Sequence, residues 1–287
     1  MNRILLIGKD GMLGSELYER LINNKENEVF ETTIETLDIC NKDAVFSKVK
    51  SINPNYIINC AAYTNVDGCE VNYDLAEKVN GYAVENIALA AKEVNATLIH
   101  ISTDYVFDGK LDVSMAYDEN MQVGPVSAYG KSKLIGEENA KKAEKYYILR
   151  TAWLYGHGGK NFVKTMLTLS ETKNEISVVC DQNGSPTSTT TLCYIIEKMI
   201  EINPNYGIYH STNEGFTNWA DFAEKIFEFA GKNVKVNHIT SEEYKKMYPN
   251  SSDRPKNSKL SKEKLHSIGV FPMSYEEALK DYLKGGI

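Results

Sequence analysis

The sequence predicts an α/β fold, a doubly wound parallel sheet joined to a smaller, mostly helical C-terminal lobe. Three observations predict it. Short apolar runs rich in Ile, Leu and Val alternate with stretches of helical period from residue 3 to about residue 211, the pattern of right-handed βαβ units. The first run passes directly into a glycine-rich turn that opens a helix, Gly8-Lys-Asp-Gly11-Met-Leu-Gly14. Beyond residue 212 helical periods continue while strand signals thin out, as in a helical lobe.

Residues 3–7 form the first strand, and Leu13, Leu17 and Leu21 follow at helical spacing. At this junction Gly8 allows a tight turn, Gly11 lets the backbone approach a pyrophosphate, and Gly14 lets the helix pack on the strand, with the helix N-terminus facing the phosphates. The spacing G-x-x-G-x-x-G is a variant of the Rossmann dinucleotide-binding fingerprint, and the alternative reading is a purely structural glycine turn. Residues 28–32 are the second strand. Glu31 lies near its end, where an acid would hold an adenosine ribose or would simply stand exposed. Leu37-Asp38-Ile39 precedes a helix over 42–51. Residues 55–62 read as a buried parallel strand, which delivers Tyr63 and Thr64 to the carboxyl edge of the sheet, where ligands collect.

Ala76, Val79, Ala83, Ile87 and Ala90 share one helical face, and residues 97–103 are again a buried strand. Ser102, Thr103 and Asp104 therefore emerge at the edge that carries Tyr63. The Thr103 hydroxyl either bonds a substrate carbonyl oxygen there or caps its own loop. In Ser127-Ala-Tyr-Gly-Lys-Ser-Lys133 the four-residue spacing puts Tyr129 and Lys133 on one helical face, either as a catalytic pair or as a solvated pair on an exposed helix. An ammonium beside a phenol favours the phenolate, so the sequence predicts a lowered Tyr129 pKa and a better proton donor. Strands over 147–153, 176–180 and 207–211, and helices from 162, over 187–201, 218–230, 242–248 and 275–283, complete the chain. Residues 1–165, with 187–212 returning, are read as the dinucleotide-binding unit. Residues 166–186 and 213–287 are read as the substrate lobe.

The net charge of −7 argues against a nucleic-acid or anionic-membrane binder, which needs a basic face. The apolar start is too short for a signal peptide or membrane span, so a cytoplasmic location is expected. Cys40, Cys60, Cys69, Cys180 and Cys193 contain no C-x-x-C pair and are odd in number, which suggests neither a disulfide frame nor a zinc site. No metal ligands are assigned.

Three motifs stand in fixed order: Gly8-x-x-Gly11-x-x-Gly14, Ser102-Thr-Asp-Tyr-Val-Phe-Asp-Gly109 and Tyr129-Gly-Lys-Ser-Lys133. Together they resemble the extended short-chain dehydrogenase/reductase family, and within it the members that reduce dTDP-linked 4-keto-6-deoxysugars. Further matches are Asn59-Cys-Ala-Ala-Tyr-Thr-Asn-Val-Asp67, Arg150-Thr-Ala-Trp-Leu-Tyr155, Asp181-Gln-x-Gly-x-Pro-Thr187 and Arg254-Pro-x-Asn-Ser258. The likeness covers the whole chain.

That resemblance implies NADPH or NADH as cofactor, and reduction of the C4 keto group of dTDP-4-dehydro-L-rhamnose. It implies that Tyr129 protonates the nascent C4 oxygen, Lys133 holds the nicotinamide ribose, and Thr103 and Asp104 bond the sugar. Gly8, Gly11, Met12, Leu13 and Gly14 match the phosphate turn, and Glu31 matches the ribose acid, leaning towards NADH. Asp38 and Ile39 match the adenine contact, Ala62, Tyr63 and Thr64 the contact beside the nicotinamide ribose, and Trp153 and Arg254 the deoxysugar nucleotide. A homodimer, and a magnesium ion at its interface, occur in some relatives and are left open by the sequence. Two rival functions remain. A non-catalytic NADP-binding regulatory subunit shares the fold, although it need not keep Thr103, Tyr129 and Lys133. A reductase of another nucleotide-linked keto-sugar would keep them all.

Overall fold

The computed structural model describes residues 1–285. In chain order, β1 (Asn2–Ile7), α1 (Met12–Ile22), β2 (Asn27–Thr32), α2 (Lys42–Ile52) and β3 (Tyr56–Asn59) come first. Two short helices, α3 (Val66–Val71) and α4 (Tyr73–Ala76), lead through a π-helical turn (Glu77–Tyr82) into α5 (Ala83–Glu93). β4 (Thr97–Thr103), α6 (Ala128–Ala140) and β5 (Tyr146–Thr151) complete the regular winding. The chain then leaves the sheet through β6 (Leu154–Tyr155), α7 (Phe162–Ser170), β7 (Glu175–Val179), β8 (Asn183–Gly184) and β9 (Thr187–Ser188), and returns through α8 (Thr189–Ile202) and β10 (Gly207–His210). The rest is β11 (Thr217–Asn218), α9 (Trp219–Ala230), β12 (Lys235–Ile239), α10 (Ser241–Met247), α11 (Glu263–Ser267) and α12 (Tyr275–Lys284).

The central sheet is parallel throughout, in the order β10-β5-β4-β3-β1-β2. Its winding reverses between β1 and β3, which opens a crevice at their carboxyl ends. Ile4, Leu5, Leu6 and Ile7 are all buried because β1 is covered on both faces. Alternation sends Leu5 and Ile7 into one core with Val45, Val49, Ile87 and Ala91, while Ile4 and Leu6 enter another with Leu17, Leu21, Ile195 and Met199. A third core, built around Val163, Phe222, Ile226 and Leu279, holds the lobe.

The lobe is less purely helical than expected. Residues 235–239 form β12, which pairs in parallel with β7. Lys-Val-Asn-His-Ile carries only two apolar residues, and none of its side chains is fully buried, so its apolar signal is weak. Two strands also end earlier than the apolar runs suggest. The Asn59 side chain captures the Ala61 N–H at 3.1 Å and stops β3, and β5 ends at Thr151, shortly before Trp153 turns into the left-handed region at φ +48°.

Candidate active site

The glycine turn divides its work by position. Gly8 sits at φ +83°, and a Cβ there would stand 2.8 Å from the Ala61 nitrogen. A Cβ on Gly14 would come within 2.0 Å of the Gly8 carbonyl oxygen, so only glycine lets α1 approach the turn. Gly11 meets nothing closer than 3.4 Å, which leaves its outer side open. The helices α2, α6, α7, α8, α9, α10 and α12 each begin on an Asn, Ser or Thr side chain that accepts a first-turn amide. By contrast, α1 begins on Gly11 with no side-chain cap and no acid in its first turn. Its free amides are what a phosphate group needs, so the residues present fit a dinucleotide.

The other expected cofactor residues lie beyond the carboxyl ends of the neighbouring strands or just before them. Met12 is half-buried and Leu13 is in the core. Glu31 lies in β2 opposite Leu6 and is half-buried. Asp38 is exposed and accepts the Cys40 N–H, and the buried Ile39 offers its carbonyl to Asn86. Ala62 and Tyr63 are half-buried and Thr64 is exposed. Tyr63 is gripped on both backbone groups by Asn80, whose Oδ1 accepts its N–H at 2.7 Å and whose Nδ2 donates to its carbonyl at 3.0 Å. The same Nδ2 donates to Ser132 Oγ on α6. Asn80 thus ties the Tyr63 loop to the helix of Tyr129 and Lys133. Sequence reading missed it because an Asn inside a helical stretch carries no spacing signal.

Thr103 ends β4, where its hydroxyl accepts the Tyr105 N–H and donates to Asp104 Oδ1 at 3.0 Å. Without a ligand this hydroxyl caps its own loop, and a bond to a substrate oxygen would take its proton from Asp104. Asp104 is buried, and its Oδ2 has no hydrogen-bond partner. Burial pushes its pKa up to about 6. A carboxyl whose pKa is higher folded than unfolded favours the native state fully below about pH 4, and this contribution is lost as pH rises through about 6. Asp104→Asn is therefore expected to raise Tm at pH 8 and to change it least at pH 4, as thermal unfolding across that range would read.

The expectation that Lys133 lowers the Tyr129 pKa is not met. Lys133 is buried, and its Nζ donates to the Ile101 carbonyl on β4 at 2.6 Å, which anchors its charge to the sheet. Burial pushes the phenol well above its ordinary value, the Asp104 carboxylate and Tyr105 add to that rise, and the Thr103 hydroxyl offsets part of it. The phenol keeps its proton near neutral pH, as an ordinary phenol does, and in the free protein it is a weaker acid than the sequence predicts. Burial also brings Lys133 down to about 8, against the pull of Glu137. His100 lies 3.5 Å from Lys133 Nζ, and burial with that cation keeps it neutral.

A groove of about 970 Å³ opens in the lobe, lined by Trp219, Phe162, Gln182, Tyr248 and Arg254 among others but not by Trp153, Thr103, Tyr129 or Lys133; Arg254 lies near enough to the Tyr105 phenol to lower its pKa. Arg254 Nε is buried without a partner, a donor ready for an anion. Trp153 stacks on Trp219 with ring centroids 3.6 Å apart and planes 9° apart. Asp67 accepts both the Ser252 N–H and its hydroxyl, at 2.9 and 2.7 Å, joining the cofactor side to the groove wall. Although burial alone would raise it, those bonds with Arg254 and Lys245 hold Asp67 below the usual carboxylate range. Asp221, Glu224 and His238 are close enough together to hold a cation among the described residues, but all three are exposed on the lobe.

A family model described as the RmlD substrate binding domain matches residues 1–286. The dTDP-4-dehydrorhamnose reductase of Aggregatibacter actinomycetemcomitans is 42% identical over 98% of each chain. The spore coat polysaccharide biosynthesis protein SpsK of Bacillus subtilis is 40% identical over 99% of this chain and 98% of its own. A crystal structure of the Bacillus anthracis dTDP-4-dehydrorhamnose reductase in complex with NADP superposes with a TM-score of 0.93 at 40% identity, covering 99% of each chain. The uncapped glycine turn, the parallel sheet and the Thr103, Tyr129 and Lys133 edge are thus accounted for together: the chain belongs to the RmlD substrate-binding-domain family, that of the dTDP-4-dehydrorhamnose reductases.

Proposed function

We propose that this chain uses NADPH or NADH to reduce the C4 keto group of dTDP-4-dehydro-L-rhamnose, giving dTDP-L-rhamnose for cell-surface polysaccharide. The observation that carries the reading is the set of Tyr129 and Lys133, four residues apart on α6, and the Thr103 hydroxyl at the end of β4, the strand to which Lys133 is bonded. When bound, the nicotinamide supplies the hydride. Residues Gly11 to Gly14 would hold its pyrophosphate, Glu31 the adenosine ribose, Asp38 and Ile39 the adenine, and Ala62 to Thr64 with Lys133 the nicotinamide ribose. Tyr129 donates its hydroxyl proton to the C4 oxygen while Thr103 donates a hydrogen bond to it. Asp104 takes a sugar hydroxyl, Trp153 covers an apolar sugar face, and Arg254 pairs with the diphosphate.

Among the described residues no helix is long and apolar enough to cross a membrane, and the cytoplasm is the proposed place of action. A homodimer is the assembly the family resemblance suggests, which light scattering on the purified protein reads directly. The test of function is a turnover panel of dTDP-, UDP- and GDP-linked keto-sugars with product identification. A UDP- or GDP-sugar turned over in preference would overturn the substrate, and no turnover with any would leave a regulatory binding module. Glu31→Ala is expected to shift the NADH/NADPH affinity ratio about fivefold towards NADPH, the worth of roughly 1 kcal/mol of charge repulsion near the surface. An unchanged ratio in fluorescence titrations would make Glu31 a surface acid.

A further inference from the structure

We propose that Trp219 is a positioning residue for the sugar end of the groove: its indole holds Trp153 in the place from which Trp153 meets the sugar. The inference rests on the reading of Trp153 as a sugar contact. Among the described residues, the non-glycine positions with positive φ are three asparagines, Glu144 and Trp153. Asparagine adopts that backbone readily, whereas a bulky residue keeps it only when its surroundings over-determine it. For Trp153 the surroundings can be named. Its carbonyl accepts the Thr187 N–H at 3.3 Å. Its indole lies so close to Gly184 that a Cβ there would stand 2.7 Å from Cε2. The Trp219 indole stacks on it almost in parallel.

The last two restraints arrive on two paired strands. Gly184 pairs with Thr217 and Asn183 with Asn218 in the antiparallel ribbon of β8 and β11, and Trp219 is the next residue, the first of α9. Asn218 caps that helix by accepting the Asp221 N–H at 2.9 Å, which fixes where α9 starts. Phe162, at the start of α7, packs on Trp219 with centroids 4.6 Å apart at 53°. Trp219 is therefore wedged between Phe162 and Trp153 while also lining the groove. Two near-parallel rings overlap more fully here than aromatic pairs usually prefer, and the ribbon and the helix cap supply the support for it. In this arrangement lobe residues set the angle of a tryptophan that extends from the central sheet.

The chain contains two tryptophans only, so the stack has its own spectroscopic signature. Wild type should show an exciton couplet in far-ultraviolet circular dichroism, lost equally in Trp219→Phe and Trp153→Phe; a couplet that survives either substitution would show that the two indoles are not its source and would overturn the stack. Trp219→Ala should raise KM for the dTDP-keto-sugar about tenfold, with a smaller change in kcat and an unchanged cofactor Kd. Trp219→Phe, which keeps a flat face, should restore KM to within about twofold of wild type. A wild-type KM in Trp219→Ala, or a loss of cofactor affinity in proportion to KM, would sink the positioning role. If Trp219→Ala does not fold, Trp219→Leu is judged by the same criteria. Trp153→Ala separates the two readings: a wild-type KM there removes the sugar contact itself, and with it this proposal. A raised KM there beside a normal one in Trp219→Ala overturns only the role of Trp219.

Discussion

Tyr129→Phe is expected to lower kcat by about 10²- to 10⁴-fold, the usual worth of general acid catalysis, while cofactor affinity stays within about twofold. The ring keeps its packing, including the edge-on contact with Tyr105 at 5.5 Å, and only the proton is lost. On the rate scale this is about 3–5 kcal/mol of transition-state stabilisation. The pH dependence follows from the burial of the phenol. Because its pKa is pushed well above the ordinary value, the phenol itself should cost wild type no kcat through pH 8, and a loss near pH 8 would report Lys133, brought down to about 8. An acid limb near pH 6 in kcat/KM would belong to Asp104, whose pKa stands at about 6, and should survive in Tyr129→Phe and vanish in Asp104→Asn. Near wild-type turnover in Tyr129→Phe would mean that another group donates the proton and that this helix is not the active site.

Removing either partner of the Glu137–Arg150 pair should cost about 3–5 kcal/mol of folding stability, because the remaining charge is left buried and alone. Arg150 grips Glu137 through Nε at 2.9 Å and Nη2 at 2.7 Å, and Ser102 Oγ donates to the same carboxylate at 2.6 Å. Both side chains are at most 3% exposed, and the guanidinium lies over the Phe107 ring. The pair fastens α6, one turn beyond Lys133, to β4 and β5. The double variant Glu137→Leu/Arg150→Met should recover most of the loss, since two apolar groups leave no charge unpaired. Urea unfolding of Glu137→Ala, Arg150→Ala and the double variant measures this. A loss below about 1 kcal/mol in both single variants would show that water reaches the pair and that it does not hold the helix.

Where burial is symmetrical and local, the sequence carried the fold openly. Four consecutive apolar residues, Ile4 to Ile7, announce a strand covered on both faces, and Leu13, Leu17 and Leu21 announce the helix that covers one of them. The Tyr129 and Lys133 spacing is legible for the same reason, since four residues along a helix place both on α6. What escaped depends on groups far apart in the chain. β12 exists because β7 stands sixty residues earlier to pair with it. Ser252 meets Asp67 across 185 residues, and Asn80 is a tether only because Tyr63 and Ser132 converge on it. The Tyr129 pKa was read with the wrong sign because spacing shows a neighbouring ammonium but neither the desolvation of the phenol nor the Ile101 carbonyl that claims the ammonium.

The π-helical turn at Glu77–Tyr82 makes this helix a device with two phases. An α-helix advances about 100° per residue, and a π turn absorbs roughly one residue more than an α turn. Across this turn Asn80 faces Tyr63 and Ser132, its carbonyl lying where a Cβ on Gly136 would come within 2.2 Å. Beyond it, Val84, Ile87 and Ala91 face the core beside α2. Deleting one residue from the turn would restore a single phase, and then only one of the two faces could find its partner. If the core face wins, Asn80 swings off Tyr63 and the amide of Tyr63 loses its acceptor, an opening that hydrogen exchange at that one amide would report. A change in length here therefore undoes the Asn80 tether as surely as replacing its side chain would.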